Sequence, residues 1–197
     1  MINEELIKRI ILEKPKYERQ IKRNVEIPNL KKSNKICTII GPRRAGKTYF
    51  MYQIIEQLVK SGTNHSQILY INFEDDRLGG LEKEDLQKIL DIYYELFPEN
   101  KNEIVHFMFD EIQNAPLWSK FVRRLNDKEK CKIYLTGSSS KMLSKEIATE
   151  LRGRTLVSEI FPFSFLEYLS YQGVVFSEKM LYSEDRYKIM NYFIIGN

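Results

Sequence analysis

Over residues 4–14 the apolar side chains fall at Leu6, Ile7, Ile10 and Ile11. That i, i+3, i+4 stripe predicts an amphipathic helix, and Pro15 stops it. A basic connector, YERQIKRNVEIPNLKKSNK (17–35), follows without periodicity and enters the apolar run ICTII (36–40), a buried-strand pattern. Phe50, Ile54, Ile55, Leu58 and Val59 restore helical spacing over 49–60, and Gly62 ends that helix. A second strand is predicted over 68–72, followed by an acidic loop at 73–80. A helix over 82–97 sets Leu86, Ile89, Leu90, Tyr93 and Phe97 on one face before Pro98. The nearly unbroken apolar run 103–109 suits a third strand covered on both faces. Pro116 opens a helix carrying Leu117, Phe121, Val122 and Leu125. A fourth strand falls at 132–136, Ser138 to Ser140 lead into a short helix, 152–154 form a turn, and a fifth strand spans 156–160. Pro162 introduces a helix with Phe165, Leu166 and Leu169, and a last helical pattern begins near Ser183. Strands alternating with helices predict an α/β fold, a parallel sheet with helices on both faces.

Composition adds bounds. At 197 residues, 43% hydrophobic and 29% charged, the chain suits one soluble core with an added segment. No apolar run approaches the ~20 residues that span a bilayer, and the N-terminus MINEELIKRI carries acids and is not a signal peptide. Cys37 and Cys131 sit in or beside apolar strands, so they read as buried small hydrophobes in a reducing cytoplasm. The expected location is cytoplasmic, with no membrane partner. Residues 1–35 hold ten Lys and Arg against five Asp and Glu, while the rest of the chain is close to balance. Such a segment suits either a solvated helix face or contact with nucleic acid or an acidic partner.

Chemistry concentrates in GPRRAGKT, residues 41–48, which matches G-x-x-x-x-G-K-[ST] between a strand and a helix. Glycines let the backbone curl around an oligophosphate, with N–H groups and the helix dipole pointing at the anion. A Lys-Thr pair at a helix start opposes that dipole unless an anion is present. The cofactor-binding candidates are Gly41, Pro42, Arg43, Arg44, Ala45, Gly46, Lys47, Thr48 and Tyr49. Lys47 would reach the β- and γ-phosphates, and Thr48 would ligate Mg²⁺. The side chains of Arg43 and Arg44 are free to face solvent or a partner.

The run IVHFMFDE (104–111) ends in two acids at a strand terminus, where ligands sit in open α/β sheets. Asp110 is placed to hold Mg²⁺ through water, and Glu111 to orient or deprotonate an attacking water. In Thr136-Gly137-Ser138 a polar residue can reach that water or the γ-phosphate, or else cap a helix. Asn72 is placed either to hydrogen-bond Glu111 or to form a turn. Arg152 and Arg154 flank Gly153 and offer a guanidinium to a γ-phosphate in cis or in trans, or a surface salt bridge. His65 and His106 lack a second ligand at metal spacing. Trp118 fits the core.

With these residues in place, the chain resembles the AAA-type ATPases of archaea and bacteria, within the P-loop NTPases that carry an extra catalytic glutamate. GPRRAGKT resembles their Walker A, and FMFDEIQ (107–113) their Walker B. LTGSSSKML (135–143) resembles their sensor segment, and ELRGRT (150–155) followed by FPFSFLEYL (161–169) their Gly-Arg and Pro-Ser-Phe stretch. The resemblance implies a three-layer P-loop NTPase sandwich with a parallel sheet of order 5-1-4-3-2. It also implies binding and hydrolysis of ATP with Mg²⁺. Carried over, Lys47 and Thr48 bind phosphate and metal, Asp110 binds metal, Glu111 is the base, Ser138 a sensor and Arg154 a finger. Domain boundaries follow: an N-terminal helix and connector at 1–30, an ATPase domain at 31–172, and the start of a truncated C-terminal region at 173–197. The partners implied are ATP and ADP, a homo-oligomer, and a protein partner or missing C-terminal domain. A nucleotide-loaded switch, a P-loop kinase and nucleic-acid binding through the basic segment stay open beside the ATPase reading.

Overall fold

Successive apolar runs are separated by enough chain for a helical crossover, so they pair in parallel rather than as hairpins. The computed structural model describes residues 3–15, 21–28, 30, 33–137, 151 and 153–174. Its strands are β1 (Ile36–Ile40), β2 (Ile68–Asn72), β3 (Val105–Asp110), β4 (Cys131–Thr136) and β5 (Thr155–Glu159). Its α-helices are α1 (Glu4–Leu12), α2 (Lys47–Lys60), α3 (Lys83–Leu96), α4 (Trp118–Lys128) and α5 (Phe165–Tyr171). The strands form one parallel sheet in the order β2-β3-β4-β1-β5, which is the expected 5-1-4-3-2 read from the other edge.

Strand alternation assigns the two faces. Ile36, Ile40, Leu69, Ile71, Phe107, Phe109, Ile133 and Leu135 point to one core, where α1, α3 and α4 bury Ile7, Ile10, Leu86, Ile89, Tyr93, Phe121 and Val122. Cys37, Ile39, Met108 and Tyr134 point to the other, against Phe50, Met51, Ile54 and Ile55 of α2. Ile7 and Ile10 of α1 are thus part of the main core, and Leu30 is buried in the second. The described parts of 1–30 thus pack into the same cores as the residues that follow.

Three local expectations need correction. The third strand begins at Val105, because 98–102 coils into a 3-10 helix whose Asn100 is buried and donates to the Ser66 carbonyl at 2.6 Å. Leu117 lies outside its helix: it is the N-cap of α4, in the left-handed region at φ 51°, with its side chain exposed. Pro116 therefore precedes the cap and does not occupy the first helical turn. Cys131 is only half-buried, unlike Cys37. Burial still pushes both thiols up to about 12, so neither is a ready nucleophile.

The final strand residues Ile40, Asp110 and Thr136 lie at the same end of the sheet, and each loop that leaves there carries candidate chemistry. Among the described residues no helix is long and apolar enough to cross a membrane.

Candidate functional site at the carboxyl end of the sheet

The glycine loop leaves β1 beside the end of β5. Ile160 donates its N–H to the Ile40 carbonyl at 2.8 Å. At Gly41 a Cβ would lie 2.0 Å from the Ile160 carbonyl oxygen, so only glycine fits. Arg44 takes a left-handed φ of 64°, and Gly46 one of 91° as the N-cap of α2. Alternating backbone hand of this kind turns successive N–H groups to one side, an anion-binding concavity. The first turn of α2 holds no acid, so its positive dipole end is uncompensated by any side chain there.

Lys47 opens α2 and is 5% exposed. Its ammonium donates to the Pro42 carbonyl at 3.1 Å and the Gly41 carbonyl at 3.4 Å. Glu111 stands 3.9 Å away across the site. Thr48 hydrogen-bonds the Asp110 side chain. Tyr49 is exposed, edge-on to Tyr52. Arg43 points outward and faces Glu74 at 3.7 Å, an exposed pair of small energetic weight.

Asp110, fully buried, has both oxygens occupied: Thr136 donates to Oδ1, and Tyr70 donates to Oδ2 at 3.0 Å. Tyr52 and Tyr70 share a further hydroxyl contact at 3.1 Å. Burial pushes the Asp110 carboxyl above the usual carboxylate range; hydrogen bonds from Thr136, Thr48 and Tyr70 oppose this, and the charge of Glu111 adds to it. The carboxylate is thus oriented by three hydroxyls yet short of positive charge. Burial, Asp110 and Tyr52 together raise the Tyr70 phenol, which stays a proton donor.

Glu111 departs from ordinary backbone geometry, with φ 50° and ψ 46°. A non-glycine residue held there costs on the order of 1–3 kcal/mol and persists where its surroundings fix it. Two contacts do so. Its N–H donates to Thr136 Oγ1 at 2.9 Å, and its Oε2 accepts from Gln113 Nε2 at 2.7 Å. Thr136 therefore links the two acids, accepting from one backbone and donating to the other side chain. Replacing it by Val should strand the buried Glu111 amide, at a cost of about 1–3 kcal/mol. The expected result is a melting temperature lowered by several degrees. Thermal melting checks this; an unchanged melting temperature would show that Thr136 does not hold the Glu111 backbone.

The remaining candidates lie elsewhere. The Asn72 carbonyl oxygen of the side chain accepts from the Glu74 N–H at 2.9 Å, so Asn72 forms a turn and Gln113 is the partner of Glu111. Ser138 and Arg152 fall outside the described residues. Arg154 precedes β5 at the opposite end of the sheet, where its carbonyl accepts from the Ile36 N–H at 2.7 Å and its guanidinium faces Asp127 at 3.7 Å. Five strand residues, about 16 Å at ~3.3 Å per residue, separate it from its own glycine loop. From that position its guanidinium lies away from its own glycine loop. His106 is a strand residue stacked on Tyr134, and burial, followed by the charge of Lys132, lowers it to about 4. Among the described residues no group of three His, Cys, Asp or Glu side chains could hold a metal on its own.

Sequence reasoning missed Tyr70, whose core-like spacing conceals its hydroxyl, and Arg23. Arg23 belongs to the basic connector but is buried, with Nε 2.9 Å from Glu167 of α5. Burial opposes ionisation of Glu167, but hydrogen bonds from Arg23 and from the Ser164 and Asn24 amides outweigh it and hold its pKa to about 2, against an ordinary 4.5. A folded-state value below the unfolded one stabilises the fold fully above pH 4.5 and is lost as pH falls from there through 2. Denaturant unfolding at pH 5 and pH 2.5 should show a loss on the order of 2–3 kcal/mol that is absent in Glu167→Gln. Equal pH dependence in both proteins would contradict it.

A family model described as an AAA domain matches residues 33–169, which holds both the glycine loop and the two acids. The chain belongs to this AAA family. It is therefore a nucleotide-binding P-loop domain of the ATPase type. The chain is 46% identical over 172 residues to the uncharacterized protein MJ1544 of Methanocaldococcus jannaschii, covering 87% of this chain and 36% of that one. It is 33% identical over 162 residues to an uncharacterized protein of Haemophilus influenzae, covering 81% of this chain and 40% of the relative. The chain spans well under half the length of these curated relatives.

Proposed function

We propose that this domain binds ATP with Mg²⁺, hydrolyses it, and couples its nucleotide state to a conformational change in an attached domain or partner. The observation that carries the reading is the convergence of Lys47 and Glu111 on one buried site, 3.9 Å apart, with Glu111 held in a strained conformation. A structural ion pair would not need that backbone geometry.

The donor set fits the cofactors. Hydroxyl and carboxylate oxygens from Thr48 and Asp110 are hard ligands, and one carboxylate with a hydroxyl suits Mg²⁺, which keeps waters and phosphate oxygens for its other positions. Bound there, Mg²⁺ would offset the charge of the β- and γ-phosphates. Loop N–H groups at 41–48 bind phosphate oxygens. Lys47 exchanges its carbonyl partners for the phosphate and so follows the charge that develops during transfer. Glu111 accepts the proton of the attacking water, while Gln113 fixes which oxygen faces it. Thr136 holds both acids in register.

The cheapest test is equilibrium binding of a fluorescent ATP analogue, followed by phosphate release, with Lys47→Ala as control. Binding in the parent with loss in the variant supports the reading; equal binding in both overturns it. One observation favours a second reading, a nucleotide-loaded switch with little turnover alone. Arg154 sits at the far end of its own sheet, so a guanidinium from that position reaches a γ-phosphate only from a neighbouring copy. Specific activity that rises with protein concentration would support supply in trans, and activity independent of concentration would exclude it.

A further inference from the structure

Arg23 lies 22 residues before Ala45 of the glycine loop and 144 before Glu167, yet it touches both. Its side chain is 3% exposed. Nη1 donates to the Ala45 carbonyl of the loop at 2.7 Å, Nη2 to the Phe161 carbonyl at 2.5 Å, and Nε to Glu167 at 2.9 Å. The guanidinium carbon sits 4.8 Å from the Phe163 ring centroid. Backbone contacts hold the residue itself: its N–H donates to Gln53 Oε1 on α2 at 2.8 Å, and the Asn24 N–H donates to Glu167 at 2.9 Å. Glu167 in turn completes the capping box of α5 with Ser164. A Cβ on Gly46 would lie 3.1 Å from Nη1, so the loop is shaped around this guanidinium as well as by its own φ.

A planar fork with donors on every edge is the one side chain that serves three acceptors at once in a buried place; a lysine ammonium has neither the plane nor the reach of both edges. The basic connector is therefore not a solvated face at this position. The three acceptors belong to the phosphate-binding loop, to the segment after β5, and to the first turn of α5. The segment after β5 continues directly into α5 and meets the loop where Gly41 packs on Ile160; Arg23 adds a side-chain link between the loop and Glu167 of α5.

We infer that Arg23 is a positioning residue that ties the glycine loop to α5, so that the two move as one unit and nucleotide binding at the loop is felt at α5. Interfaces of packed, fully satisfied polar groups have discrete arrangements rather than continuous ones, which is what transmission between two sites requires. The nucleotide half of this inference rests on the function proposed above; the mechanical tie does not.

Hydrogen exchange of the full chain, with and without Mg²⁺ and ATP, separates the two. Without nucleotide, Arg23→Lys and Glu167→Gln should each speed amide exchange at least tenfold in both 41–48 and 161–167, leaving β2 and β3 at parent rates. Glu167→Gln is the sharper variant, because Glu167 has no hydrogen bond of its own to the loop among the described residues and meets it through Arg23. Parent-like exchange at 41–48 in Glu167→Gln would overturn the tie, as would acceleration spread evenly over the sheet, which marks plain destabilisation. With ATP, the parent should gain protection at 164–171 that Arg23→Lys loses. Protection of 41–48 without any change at 164–171 overturns the transmission. A parent chain whose loop ATP does not protect at all overturns the proposed function and the transmission, and leaves the tie judged by the nucleotide-free arm.

Discussion

Glu111→Gln is expected to bind ATP with Mg²⁺ about as tightly as the parent chain and to release phosphate a hundredfold more slowly or worse. Glutamine keeps the length and planarity of the side chain. Its amide oxygen still accepts from Gln113, which donates to Oε2 at 2.7 Å, so the strained backbone at φ 50° keeps its support. The amide cannot take a proton from water. Positioned general bases contribute roughly 10²–10⁴ in rate, which sets the size of the loss. Binding is spared because Glu111 is an anion beside an anionic ligand and adds no attraction for phosphate. Single-turnover hydrolysis and equilibrium binding together check this; a variant that turns over at the parent rate would remove Glu111 from the chemistry.

Lys47→Ala is expected to fail at the earlier step. The ammonium lies within hydrogen-bonding reach of the loop carbonyls and is almost fully buried, so its contacts are made at low screening. Truncating one partner of a buried charge pair costs about 2–5 kcal/mol, a loss of roughly 30- to several-thousand-fold in nucleotide affinity. The variant also leaves Glu111, with its side chain 11% exposed, without the cation 3.9 Å away. It should accordingly melt earlier than the parent, and adding Gln at position 111 should recover part of that loss. Nucleotide titration by calorimetry measures the first effect and thermal melting the second.

The residues behind both effects were visible in the chain. Lys47, Thr48, Asp110 and Glu111 were legible because each belongs to a short run whose residue order dictates its place: a glycine loop between strand and helix, and two acids at the end of an apolar strand. The parallel sheet was legible from the same alternation, and its strand order from the resemblance the four motifs carry. What escaped the reading depends on contacts between distant segments. Arg23 resembled any other residue of a basic connector until the fold brought Ala45, Phe161 and Glu167 around it. Tyr70 has the spacing of a core residue, and its ring is indeed packed; only the position of β2 beside β3, with Asn72 opposite Asp110, brings its hydroxyl to that carboxylate. Thr136 lay in a polar triplet whose last member, Ser138, was the sensor candidate. The strand ends at Thr136 as its apolar pattern predicted, and it is this threonine whose hydroxyl reaches both acids. For Arg154 the sequence left action in cis or in trans open, because a motif does not fix which end of the sheet it occupies.

The proposed hydrolysis is tested most directly by phosphate release from ATP and Mg²⁺, measured over a wide range of protein concentration for the parent chain, Lys47→Ala and Glu111→Gln. The account predicts release by the parent, with specific activity rising at higher concentration if Arg154 acts from a neighbouring copy, and almost none from either variant. A parent chain that binds ATP but releases no phosphate at any concentration, or variants that release it as fast as the parent, would contradict it.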